Sequence, residues 1–244
     1  MTEHPEAIED EKRAAAEAAA LLVEAGMTVG LGTGSTVAYL LAALGRRGLA
    51  IRCVATSPRT ELEALRCGLR VEPFGEGTPA IDRHDRHDRH DRHDRHDRHD
   101  RLDRLDIAID GADQIDPTGW LVKGGGGAHT REKIVAAAAD RFVVIADSSK
   151  PVNALHGRIP VELLAFGIAS TRRRCPEIRL RDGPRSPDGG IIGDWDGDLT
   201  DLIAAAAALA AIPGIVGNGL FPPAMVHDVL IARGTGIEHR AITR

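Results

Sequence analysis

Residues 105–138 read LDIAIDGADQIDPTGWLVKGGGGAHTREKIVAAA, and this stretch decides the fold. Its opening, LDIAID, is a short apolar run ending in a carboxylate, the pattern of a buried strand. Two aspartates three apart, Asp110 and Asp113, are followed by Lys123, four consecutive glycines and a segment carrying Glu132. Gly124 to Gly127 have no Cβ, so their loop can take positive φ and bring N–H groups close to a ligand oxygen. Ordering four glycines costs much chain entropy, which makes packing alone a weak reason for them. The loop stops where AHTREKIVAAAAD begins, an alanine-rich segment with Ile134, Val135 and Ala138 at helical spacing. The first N–H groups of that helix then face the same ligand. Strand, carboxylate, anion cradle and helix start in this order predict an α/β protein with its site at the carboxyl ends of the strands.

A second glycine-rich turn lies upstream. EDEKRAAAEAAALLVEAGM has helical spacing with Gly26 as its stop, and TVGL reads as a buried strand. The strand runs into Gly32, Thr33, Gly34, Ser35 and Thr36, and VAYLLAALG continues as a helix. Backbone N–H groups and hydroxyls in such a turn donate to a phosphate. The turn is neither GxGxxG nor a Walker motif, since lysine and spacing are both wrong.

Composition narrows the class. The 244 residues allow one large α/β domain or two modest ones. A formal net charge of -5 gives no basic footprint for nucleic acid, and with 3% aromatics and one tyrosine there is no base-stacking surface. Cys53, Cys67 and Cys175 are odd in number and widely spaced, which suggests a reducing compartment rather than a disulfide framework or a zinc cluster. MTEHPEAIEDEK is acidic and has no signal-peptide core, and the longest apolar run, Leu202 to Ile212, ends at Pro213 and is too short to span a bilayer. The expectation is a cytoplasmic enzyme that uses neither a membrane nor a nucleic acid.

From Asp82 to Arg101 the chain is a DRH triplet repeat with seven aspartates, seven arginines and six of the eleven histidines. A three-residue period turns through about 300° on a helix, so no residue type keeps to one face and no stripe is available for burial. A solvated loop or frayed helix is expected, inserted between a strand near Val71 and the strand at Ile107. Imidazoles three apart could share Zn²⁺ or Ni²⁺, the functional alternative.

Several blocks together resemble the type A ribose-5-phosphate isomerase family. GLGTGST, ATSPRTELEAL, DIAIDGADQID, LVKGGGGAHTREKIVA, DSSK, PVELLAFG and IPGIVGNGLF occur in that family's order, from about residue 9 to about residue 238. The resemblance implies a Rossmann-like, mainly parallel sheet with flanking helices plus a small α+β (ferredoxin-like) lid. It implies domains at 1–157 and 158–222, with 223–244 returning to the first. It implies interconversion of ribose 5-phosphate and ribulose 5-phosphate without metal or cofactor, in a homodimer or homotetramer.

The implied roles follow the matching positions. Glu132 would move a proton between C1 and C2, while Asp110, Asp113 and Lys123 would handle the oxygens. Thr33, Gly34, Ser35, Thr36, Gly111, Ala112, Gly124, Gly125, Gly126 and Lys150 would hold substrate. Three departures stand out. Gln114 replaces a glutamate, His129 replaces a leucine-like residue, and residues 168–198 lack the usual helical pattern and TDNGN-like turn of the lid. Two other readings keep the sugar phosphate: a deaminase or lactonase of the same fold, and the effector domain of a transcription regulator. KGGGG with TREK argues against the first. The second needs a helix-turn-helix, for which the fewer than thirty residues ahead of the first strand leave no room.

Overall fold

In the computed structural model the described residues are 5–75 and 102–242. The DRH tract, with the expectations attached to it, lies outside them. Helix α1 (Pro5–Ala20) leads to β1 (Thr28–Leu31), α2 (Ser35–Arg47), β2 (Arg52–Ala55), α3 (Pro58–Arg66) and β3 (Arg70–Val71). The chain continues through β4 (Leu105–Asp110), the short strands β5 (Gln114–Ile115) and β6 (Leu121–Val122), α4 (His129–Ala137) and β7 (Ala139–Ala146). A second group follows: β8 (Ile159–Leu163), α5 (Ile168–Arg174), β9 (Ile178–Leu180), β10 (Ile191–Trp195), α6 (Leu202–Ala211) and β11 (Ile215–Asn218). Strands β12 (Leu220–Phe221), β13 (Asp228–Arg233) and β14 (Gly236–Ala241) end the described chain.

The main sheet has seven strands in the order β14-β13-β7-β4-β1-β2-β3, parallel except for the β13–β14 hairpin. From β1 the chain moves outward to β2, and from β4 it moves the opposite way to β7. The loops after β1 and β4 therefore diverge and leave a crevice between neighbouring strands, the topological switch point of an open α/β sheet. GTGST and DGAD are those two loops.

Helices cover both faces. On one side Ala15, Ala16, Ala19 and Ala20 of α1 are buried against α2 and the sheet, where small side chains let the helix sit close. On the other side Val135 and Ala136 of α4 pack with Phe142, Phe221, Val226 and Val229. A separate four-stranded antiparallel sheet, β11-β8-β10-β9, has its own core of Ile159, Val161, Leu163, Ile178 and Leu209. A three-stranded sheet, β12-β6-β5, stands between the two.

The observed elements differ from the sequence expectations in three places. The first helix was expected to stop at Gly26, yet α1 ends at Ala20 and a turn carries the chain on to β1. The alanine-rich helix was expected to run through Asp140, yet β7 begins at Ala139, in parallel register with Leu105 of β4. Pairing with β4 outranks the helical preference of alanine, which is only a weak prior. Residues 168–198 do contain a helix, α5, even though they lack the expected pattern. The mostly alanine run forms α6, capped by Asp201, whose carboxylate accepts from Ala204 N at 2.9 Å.

Candidate active site

The turn after β1 is built around Asp110. A Cβ on Gly32 would come within 1.9 Å of Asp110 Cγ, so only glycine allows this approach. Thr33 N and Gly111 N donate to Asp110 Oδ1 at 3.1 and 2.7 Å, tying the two diverging loops together. Thr33 Oγ1 lies 2.8 to 3.2 Å from the hydroxyls of Thr56, Ser57 and Thr60. Thr60 Oγ1 in turn donates to Gly32 O at 2.9 Å. The Thr33 side chain thus holds the turn shut. Gly34 has φ 146°, and no side chain caps α2, so its first-turn amides are left to a ligand.

The second loop brings the charges together. Lys123 is buried at the end of β6, 2.9 Å from Asp110 Oδ2 and 3.2 Å from Glu132 Oε2, and it donates to Gly111 O at 2.5 Å. Gly124 and Gly127 take φ 105° and 75°, the conformations expected of the glycine run. Gly125 N donates to the exposed Asp113 at 2.8 Å. Arg181, held by Asp194 at 2.7 and 2.8 Å, donates to the carbonyls of Gly124 and Gly125, each at 3.1 Å. The loop is gripped from its carbonyl side.

Burial dominates the electrostatics. It pushes the Glu132 carboxyl up to about 8, with Lys123 opposing and Asp110 reinforcing the shift. Burial alone would lower Lys123, but Asp110 and Glu132 beside it hold it above its ordinary value, as an ammonium. For Asp110 burial pushes upward while Lys123 and two backbone N–H groups pull down. Three donors aimed at one carboxylate suit its ionised form, so we assign the pair as Asp110 carboxylate and Lys123 ammonium. His129 is fully buried, and burial draws its imidazole down to about 4. It stays neutral and fills space under Gly124, where a Cβ would stand 2.7 Å from its Nδ1.

A cleft of about 610 Å³ opens between these loops. Every residue expected from the sequence lines it except Asp110, which sits behind Lys123. Gln114 lies outside the cleft, exchanging two hydrogen bonds with the His156 backbone at 2.8 and 3.0 Å. The structure also adds residues the sequence reading missed. Ser57, Pro58 and Arg59 come from the start of α3, and Pro184 to Pro187 come from the β9–β10 loop. A helix-start signal was present in SPRT: Ser57 caps α3 through Thr60 N at 3.1 Å, with Pro58 at the first helical position. Nothing local in the sequence pointed to the β9–β10 loop.

Fold and cleft together define a doubly wound α/β protein with a glycine-rich turn at an uncapped helix start and a buried carboxylate–ammonium cluster at its switch point. Comparison with known proteins gives the particular family. Residues 90–236 match the family described as ribose 5-phosphate isomerase A (phosphoriboisomerase A). A protein named ribose-5-phosphate isomerase A from Methanosarcina acetivorans is 41% identical, the match covering 86% of each chain. Ribose 5-phosphate isomerase A from Neisseria gonorrhoeae superposes with a TM-score of 0.82 at 28% identity, covering 97% of this chain and 98% of that one. A D-ribose-5-phosphate isomerase in complex with phospho-erythronic acid gives 0.79 at 28% identity, over 96% and 99%. The chain belongs to the ribose 5-phosphate isomerase A family.

Proposed function

We propose that this protein interconverts D-ribose 5-phosphate and D-ribulose 5-phosphate through an enediolate. The observation that carries the mechanism is the buried Glu132 carboxyl at the foot of the cleft, 3.2 Å from the Lys123 ammonium. Moving a proton between C2 and C1 needs a base whose affinity for protons is raised above that of an ordinary carboxylate, and burial supplies this. As the proton leaves carbon, negative charge grows on the substrate oxygens. Lys123 is the fixed donor for it, already ordered by Asp110 and Gly111, so little reorganisation accompanies the step.

Asp110 acts through Lys123 and the turn, since it lies behind the cleft wall. Asp113, exposed and oriented by Gly125 N, is placed to exchange a proton with the ring oxygen and hydroxyl of the cyclic sugar. The phosphate fits the amides of Gly34, Ser35 and Thr36 at the start of α2, with Thr33 bracing the turn. Gly111, Ala112, Gly124, Gly125, Gly126 and Lys150 hold the rest of the chain of hydroxyls. Residues 158–222 form the lid, which supplies Pro184 to Pro187 to the cleft, and 223–244 return to the first domain. We assign a cytoplasmic homodimer or homotetramer; unpaired Cys53, Cys67 and Cys175 suit a reducing compartment, and Phe166, 93% exposed beside the half-exposed Leu164, suits a subunit contact.

The direct test is ketose formation from ribose 5-phosphate by the purified protein. Turnover is expected without added metal or nucleotide. A protein that is folded and yields no ketose would overturn the reading.

A further inference from the structure

Successive residues of a helix leave it about 100° apart, so the two neighbours of Glu132 project to either side of it. Arg131 reaches the β9–β10 loop, donating to Asp188 Oδ2 and Oδ1 at 2.8 and 2.7 Å. Lys133 reaches the opposite way. Its Nζ donates to the carbonyls of Asn218 and Leu220 at 2.7 and 2.8 Å and to Asn218 Oδ1 at 3.2 Å. The Phe221 ring closes this pocket, with Lys133 Nζ 4.8 Å from its centroid and Lys123 Nζ 5.6 Å from it.

The partners of Lys133 are unusual in two respects. All three oxygens belong to neutral groups, and partly withdrawing an ammonium from water among neutral acceptors costs free energy, which draws Lys133 down to about 8. Without the ammonium the carbonyls of Asn218 and Leu220 would lose this donor, so the value of this lysine lies in what it joins. Asn218 and Leu220 flank Gly219, the point where β11 of the smaller sheet gives way to β12. Gly219 O accepts from Lys123 N at 2.9 Å, and Leu220 pairs with Val122 just before Lys123. One ammonium therefore bridges the helix that carries Glu132 and the junction that sets the backbone of Lys123.

We infer that Lys133 is a positioning residue for the isomerisation, tying helix α4 to the β11–β12 junction so that Glu132 and Lys123 keep one spacing. The inference rests on the isomerase reading given above. A role in packing alone would show in stability and leave turnover per folded molecule unchanged.

The test compares wild type with Lys133→Met, which keeps the stem and loses the donors, and Lys133→Gln, which keeps a donor on a shorter arm. Folded fraction is followed by thermal unfolding, and kcat and KM are measured with ribose 5-phosphate. Misplacement on the order of 1 Å costs roughly 100-fold in rate, so Lys133→Met is expected to lose about 20-fold or more in kcat with KM within about threefold. Lys133→Gln falls less. Should Lys133→Met not fold, Lys133→Gln carries the test, with a loss in kcat beyond about threefold at unchanged KM supporting the inference by the same argument. A folded variant with wild-type kcat, or a loss accounted for by the unfolded fraction, would overturn it. Absence of turnover in the wild type would instead overturn the isomerase reading itself.

Discussion

At the scale of single residues, the proposed mechanism rests on one proton acceptor placed where water is scarce. Burial raises the Glu132 carboxyl to about 8, and a base acts only in its ionised form. The value of kcat/KM should therefore fall as pH drops through about 8, with one ionisation governing the acid limb. A profile flat down to pH 5 would remove Glu132 from that role. Stability has the opposite sign. A carboxyl raised in the folded state contributes stability that is full below its ordinary 4.5 and is lost as pH rises through about 8. Glu132→Gln should therefore gain in Tm over wild type at pH 8 and show no such gain at pH 4. Much of this site was legible because its chemistry is local in sequence: DGAD, KGGGG and TREK fall within a single stretch. The position of Asp110 behind Lys123 was not, because it depends on the turn after β1, where Gly32 packs against its carboxylate and Thr33, 77 residues away in sequence, donates to it.

At the scale of elements, three helix starts and three loops meet at the cleft, and side chains outside the reacting set hold several of them. Ser57 caps α3 and, through Thr33, braces the turn proposed to hold the phosphate. Ser57→Ala should cost about 1 kcal/mol of stability, the usual worth of such a cap, and should raise KM for ribose 5-phosphate more than it lowers kcat. Chemical unfolding and steady-state kinetics on the variant check both, and an unchanged KM would detach the hydroxyl cluster from binding. Strands and helices carrying periodic apolar residues, such as TVGL and VAYLLAALG, emerged where the pattern placed them. The end of α4 did not, since the alanines after Ala137 have no pattern of their own and pairing with β4 decides their state. The β9–β10 loop was equally hidden, because its link to α4 through Asp188 and Arg131 is a contact between distant segments.

At the scale of the whole molecule, the sheet order places both site loops at one switch point. Phe74 bridges Leu102, and Gly75 N donates to Leu102 O at 2.8 Å, so the described residues on either side of 76–101 are side by side. Removing residues 82–101 should preserve turnover and, by shortening the connection, raise stability by about 1 kcal/mol. Denaturant unfolding and ketose assays on the deletion check this, and lost turnover in a folded protein would give the tract a role in catalysis. The central claim is that Glu132 carries the carbon-bound proton, and Glu132→Gln tests it most directly. Glu132→Gln is expected to lose about 10²- to 10⁴-fold in kcat, the range for a general base, with ribose 5-phosphate binding retained. Near-normal turnover by that variant would contradict it.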